Sequence, residues 1–185
     1  MELKGERFIP QPRETVWQAL NDIEILKKAI PGCEEISWAG DNVLEATVKA
    51  KVGPVKATFK GSVSLENLSP PKSYTIKGQG KGGAAGFAKG SAEVTLSEEE
   101  GGTRLNYNVD ATVGGKLAQV GSRLIQGTAN KLSAEFFDNL TLQLGGEVEK
   151  SKQDIDEDVF TSLPTHIWAG GIISFVALTL WYFAK

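Results

Sequence analysis

The chain is poor in the residues that carry acid–base, redox and metal chemistry. It holds one cysteine and one histidine in 185 residues. The lone Cys33 excludes an intrachain disulfide and a cysteine-based metal site, and it fits a reducing compartment. The lone His166 stands close to the last apolar run, so everything before it must work without an imidazole. Strong charge of either sign is missing too. The formal net charge is −3, with no basic run and no interleaving of basic and aromatic residues, which argues against a nucleic-acid partner. Met1–Pro10 (MELKGERFIP) lacks a basic start followed by an apolar core, so no signal peptide is expected there.

Long hydrophobic runs are also absent until the end. Ile167–Ala184 reads IWAGGIISFVALTLWYFA and has no ionisable group except the Tyr182 phenol. As a helix it spans about 27 Å, roughly the hydrocarbon core of a bilayer. Trp168 at one end, and Trp181 and Tyr182 at the other, suit the two membrane interfaces. The alternative is a buried helix of a soluble core, but the stretch has no wet stripe. The expected organisation is a domain over 1–145, an acidic flexible linker over 146–164, and a single-pass C-terminal transmembrane anchor over 165–185. The expected location is the cell inner membrane with the domain in the cytoplasm. Flanking Lys150, Lys152, Asp154, Asp156, Glu157 and Asp158 are too mixed to set orientation alone.

The preceding residues, roughly 145, are the usual size of one domain. Glu2–Ile9 reads as a strand. Pro12 stands at a helix start with Glu14 in its first turn, and Val16, Leu20 and Ile23 share a face with Trp17. A second helical piece, Ile25–Ile30, stops at Pro31-Gly32. The period then becomes two. Leu44 to Val52, Val55 to Leu65, Tyr74 to Ile76, Ala92 to Leu96 and Leu105 to Val113 each alternate apolar with polar, which predicts a half-buried antiparallel meander. Gly114-Gly115 ends the strands. One long helix is expected from Lys116 to Leu144, with Leu117, Val120, Leu124, Leu132, Phe136, Leu140 and Leu144 near one stripe. Gly121 and Gly127 within it suggest a close approach to something. An apolar sheet face and an apolar helix stripe must bury each other, and a strongly curved sheet can leave an elongated apolar cavity between them. The fold class is therefore α+β.

This order resembles the helix-grip, START-like (SRPBCC) superfamily of lipophile-binding domains. Three segments narrow the match: RETVWQALND with IEILKKAIPGCEEI, GQGKGGAAGFAKGSAEVTL, and GGKLAQVGSRLIQGTANKLSAEFFDNL. They resemble the CoxG (carbon monoxide dehydrogenase G-subunit) family over roughly residues 1–144. The resemblance implies an accessory protein of molybdenum-containing CO dehydrogenases and related hydroxylases in aerobic CO oxidation. It would recruit the oxidoreductase to the membrane and carry respiratory quinone, menaquinone or ubiquinone, in its cavity. The protein would then be no enzyme and hold no covalent cofactor. The alternatives are a recruiter without ligand, or a START-like enzyme acting on a lipid or polyketide.

By parity the inward sheet face offers Leu44, Val48, Phe59, Val63, Tyr74, Ile76, Val94, Tyr107 and Val109. Leu117, Val120, Leu124 and Phe136 would add the helix wall. All of these serve equally well as plain core. Tyr74 and Tyr107 stand out because a buried phenol needs a hydrogen-bond partner, either backbone or a quinone carbonyl. Gly78, Gly80 and Gly83 formally satisfy a dinucleotide fingerprint but lie between antiparallel strands, so nucleotide binding is rejected. That segment is expected to be a flexible hairpin with bulges, or else a mobile flap with Phe87 at its tip. No inward histidine or carboxylate is present, since Glu45, Arg104 and Asp110 fall on the outer face. Lys49, Lys51, Lys56 and Lys60 gather on that outer face, either as a solvated surface or as a dock for an acidic partner or anionic headgroups. Trp38 is expected on an exposed turn.

Overall fold

The computed structural model describes residues 1–146. The chain divides into two units, Met1–Val148 and Glu149–Lys185. The expected linker and anchor, with His166, lie outside the described residues. Among the described residues, no helix is long and apolar enough to cross a membrane.

Seven strands form one antiparallel sheet: β1 (Glu2–Ile9), β2 (Cys33–Gly40), β3 (Val43–Val52), β4 (Val55–Ser69), β5 (Ser73–Lys81), β6 (Phe87–Glu99) and β7 (Gly102–Gly114). The order is β1-β7-β6-β5-β4-β3-β2. Strands β2 to β7 are a meander, and β1 pairs with the far side of β7, from Glu2↔Asp110 to Ile9↔Thr103. Helices α1 (Arg13–Ala19) and α2 (Ile23–Ala29) fill the connection from β1 to β2. After β7 come a short α3 (Lys116–Gln119) and the long α4 (Ser122–Gln143).

Local chemistry explains the helix ends. Pro12 precedes α1, where its missing N–H costs nothing. Asp22 caps α2: its Oδ1 accepts from the Glu24 N–H at 2.8 Å and the Ile25 N–H at 3.2 Å. The helix thus begins two residues earlier than its apolar spacing suggests. Asp22→Ala is expected to lower stability by about 1 kcal/mol in urea denaturation, the usual worth of such a cap. Ile30, held before Pro31, is extended and ends α2.

Three expectations are corrected. The single C-terminal helix is two, because Gly121 has φ +95° and a helix cannot pass through it. Neither Gly121 nor Gly127 approaches anything closely: a methyl at either would meet nothing within 4 Å. Trp38 lies in strand β2, opposite Leu44, rather than on a turn. A register shift between Cys33 and Glu35 breaks the alternation there, so β2 is hard to see in the sequence.

The core sits between the inner sheet face and the helices. Ile9, Val16, Ala19, Ala29, Leu105 and Leu140 are its most buried members, with Leu96, Tyr74, Val94 and Phe137. These come from β1, α1, α2, β5, β6, β7 and the C-terminal half of α4. Two buried hydroxyls are satisfied locally: Thr103 Oγ1 donates to the Gln11 carbonyl at 2.7 Å, and Thr141 Oγ1 to the Phe137 carbonyl at 2.9 Å. Asn139 ties α4 to α2 through the Ala29 carbonyl at 3.2 Å.

Candidate functional site: an apolar inner face under the long helix

The inner face has two halves. At the end where β1 finishes, the core above is closely packed. At the opposite end, Ala46, Val48 and Ala50 of β3 and Val55, Ala57 and Phe59 of β4 are all only half-buried. Ile125, Ala129 and Leu132, in the N-terminal half of α4, are half-buried too. Apolar groups on both walls remain partly reachable by water. This apolar cleft is the candidate ligand site.

Glycines shape its floor. On the inner parity, Gly61 of β4 pairs with Gly80 of β5, and Gly78 of β5 pairs with Gly90 of β6. Four positions on three adjacent strands therefore present no side chain to the concave side, which lets the sheet bend sharply. The expected flexible, bulged hairpin is not found here. β5 runs to Lys81 and β6 starts at Phe87 in continuous register, and only residues 82–86 form the loop.

The expected site residues fall into three groups. Val48, Phe59, Val63, Ile76 and Val109 lie half-buried on the inner face, with Val63 and Ile76 bordering the packed core. Val120 is half-buried beside Gly53, where a methyl on the glycine would sit 3.1 Å from its Cγ1. Leu44, Tyr74, Val94 and Leu117 are buried in the packed regions, and Tyr107 and Phe136 pack against the core. Two residues miss the inner face. Phe87 alternates with Ala88 onto the outer parity, packs over Gly114 and is 42% exposed. Leu124 is 54% exposed, because Gly121 resets the helical phase just before it.

The two tyrosines differ. The Tyr107 ring leans over Gly5 of β1, filling the room that glycine leaves, and stacks on Phe137 at 5.6 Å. It is turned toward the β1 edge and away from the cleft. Tyr74 lies two residues along β5 from Ile76 and meets Trp17 edge-on at 5.3 Å. The residue is 7% exposed, and its hydroxyl has no hydrogen-bond partner among the described residues. Burial pushes the phenol well above the ordinary range, so it stays protonated and can donate. Without ligand, Tyr74→Phe is expected to leave stability within about 1 kcal/mol of the wild type, since no hydrogen bond to the described residues is removed. The folded state holds this proton more tightly than the unfolded chain. That contribution is intact at neutral pH and is lost as pH rises above about 10. Melting wild type and variant at pH 8 and pH 11 should show the gap widening in favour of phenylalanine.

Other charges are accounted for. Arg7 reaches from β1 to Asp138 of α4, neutralising both at the sheet edge. Glu45, Arg104 and Asp110 stand on the outer parity as expected. Arg104 binds Glu99 at 2.8 Å through Nε, which holds that carboxyl below its usual range. Burial raises the Cys33 thiol, partly offset by Lys27, so it is a poor nucleophile. Two hollows of about 440 and 530 Å³ lie on the outer face and are lined largely by Ser, Gln, Lys and acidic side chains. They suit water rather than a lipid. Among the described residues, no cluster of His, Cys, Asp or Glu could hold a metal.

A curved antiparallel sheet gripping one long C-terminal helix, with an apolar space between them, defines a helix-grip, START-like domain. The same fold recurs in solved structures. A conserved protein from Geobacillus kaustophilus matches with TM-score 0.75 and 28% identity, over 78% of this chain and 95% of its own. The Zhui aromatase/cyclase from Streptomyces sp. R1128 matches with TM-score 0.59 and 14% identity, over 80% and 99%. Ara h 8.0201 matches with TM-score 0.55 and 16% identity, over 79% and 99%. The latter two likenesses are of fold alone. These proteins consist almost wholly of the shared region, which in this chain corresponds to the compact unit Met1–Val148. No curated protein sequence matches. The family model of CoxG, the carbon monoxide dehydrogenase G-subunit, matches residues 5–145. The chain belongs to the CoxG family.

Proposed function

We propose that this protein is a non-enzymatic accessory factor of a molybdenum-containing CO dehydrogenase-type oxidoreductase. It recruits that enzyme to the cell inner membrane through a C-terminal anchor and carries a respiratory quinone in the cleft. Family membership supports the accessory role. The observation that carries the ligand is the half-exposed apolar cleft, with the unpartnered Tyr74 phenol on the same sheet face. The cleft takes an isoprenoid tail. The phenol, kept protonated, can donate to a ring carbonyl. Burying a few hundred Å² of tail contributes several kcal/mol at about 25 cal/mol per Å², before ordering costs. No acid, base or metal on the inner face is needed for carriage, and none is free there among the described residues.

The test is direct. Residues 1–146 are purified from a quinone-producing bacterium, extracted with organic solvent, and the extract is identified by mass spectrometry. Quinone near one per domain is the expected result. An empty extract, or a stoichiometric lipid other than quinone, contradicts the carrier reading; the empty one leaves a recruiter.

A further inference from the structure

The end of the sheet at which the cleft lies half-open has an unusual surface. Three connections meet there: the Gly53-Pro54 turn, the 82–86 loop, and the 114–121 crossing into α4. They touch one another. A methyl at Gly53 would lie 3.1 Å from Val120 and 3.8 Å from Leu124, and one at Gly86 would lie 2.9 Å from Gly115 Cα. Around them basic residues outnumber acidic ones, although Glu35 and Glu45 share an outer-face hollow with Lys60 and Lys81. No Asp or Glu occurs between Glu45 and Glu66, between Glu66 and Glu93, or between Asp110 and Glu135. Lys51, Lys56, Lys60, Lys81, Lys116 and Arg123 project here, all exposed, and none has an ion-pair partner among the described residues. Nearby Lys49 and Lys77 do have partners, in Glu34 and Glu66 at 2.7 Å each. Asp41 and Glu98–Glu100 lie at the opposite end, at the β2–β3 and β6–β7 hairpins.

Two features are costly without an outside partner. Lys51 stands directly opposite Lys56, and Lys60 directly opposite Lys81, and like charges at such positions repel. Inside this cationic rim the exposed groups are apolar: Phe87, Leu124, Pro54 and Ala84. Apolar tips ringed by unpaired lysines match a bilayer surface with anionic headgroups, where the rings insert and the ammonium groups meet phosphates. An acidic protein would satisfy the lysines but gives no reason for exposed apolar side chains at Phe87, Leu124, Pro54 and Ala84.

We infer that this end of the domain docks on an anionic lipid surface, independently of any C-terminal anchor. Docked so, the half-open end of the cleft faces the bilayer, and a lipophile can pass between them without crossing water. The docking goes beyond the carrier reading and does not depend on what the cleft holds.

The experiment uses residues 1–146 and quinone-free vesicles. Co-sedimentation is measured with phosphatidylcholine alone and with about 30% phosphatidylglycerol, at low and high salt. Binding to the anionic vesicles is expected, weakening as salt rises. Lys51→Gln/Lys56→Gln/Lys60→Gln/Lys81→Gln should weaken it on the order of a hundredfold, and Phe87→Ser/Leu124→Ser should weaken it while leaving the salt dependence. Both variants replace exposed side chains, and circular dichroism checks their folding. Equal binding to neutral vesicles, no binding to either, or lysine-dependent capture of an acidic protein without vesicle binding overturns the inference. Quinone affinity in detergent, measured separately, tells a failed dock from a failed carrier.

Discussion

Gly61→Ala is expected to destabilise the domain by about 3 kcal/mol, while Gly80→Ala, directly across the ladder, leaves it unchanged or slightly more stable. The two glycines are cross-strand partners on the same concave face. A methyl at Gly61 would sit 2.6 Å from the Gln79 carbonyl oxygen and 3.1 Å from Gly80 Cα. Both are backbone atoms of the adjacent strand, so relief requires moving β5 and opening the bend. At Gly80 the nearest atoms are the Lys60 carbonyl oxygen at 3.8 Å and Gly61 Cα at 4.0 Å, ordinary van der Waals contact. Alanine there costs no packing, and it restricts the unfolded chain, which favours the native state by roughly 0.5 kcal/mol. Urea midpoints of the two variants decide the matter. Equal midpoints would mean that the bend does not depend on the missing side chains.

The same clearance makes Gly80 the place to close the cleft. Gly80→Leu is expected to fold, because its Cβ has room and the rest of the side chain grows toward the concave side. It should lower affinity for an isoprenoid quinone by on the order of a hundredfold, by occupying apolar surface that the tail would cover. Titration in detergent measures it, with Gly80→Ala as the variant that keeps the space open. Unchanged affinity in the leucine variant would move the ligand out of this cleft.

Why these residues were readable, and others not, follows from periodicity. Period-two alternation placed Leu44, Val48, Phe59, Val63, Tyr74, Ile76, Val94, Tyr107 and Val109 on one face, and the ladder registers agree at each. Alternation says which face a side chain takes, but not whether anything covers it. The division between packed core and open cleft was therefore not legible, nor was the lean of Tyr107 toward Gly5, which depends on a residue about a hundred positions away. Phe87 was misplaced because the glycines around it hide the alternation that puts it on the outer side. Leu124 was misplaced because a helical stripe assumes an unbroken helix, and Gly121 breaks it. The lysine rim was visible only in part. Lys49 to Lys60 are close in the sequence, but the fold alone brings Lys81, Lys116 and Arg123 to the same end.

If the protein carries quinone, the ring is expected to bind close to Tyr74 on the inner face. Trp17 packs edge-on against Tyr74 at 5.3 Å, so its fluorescence reports on that place. In residues 1–146 carrying Trp38→Phe, Trp17 is the remaining tryptophan. Menaquinone added in detergent should quench it saturably at one per domain, and Tyr74→Phe should weaken the binding about tenfold, as loss of one hydrogen bond predicts. Quenching that rises linearly without saturation, or saturates identically in the Tyr74→Phe variant, would contradict the account.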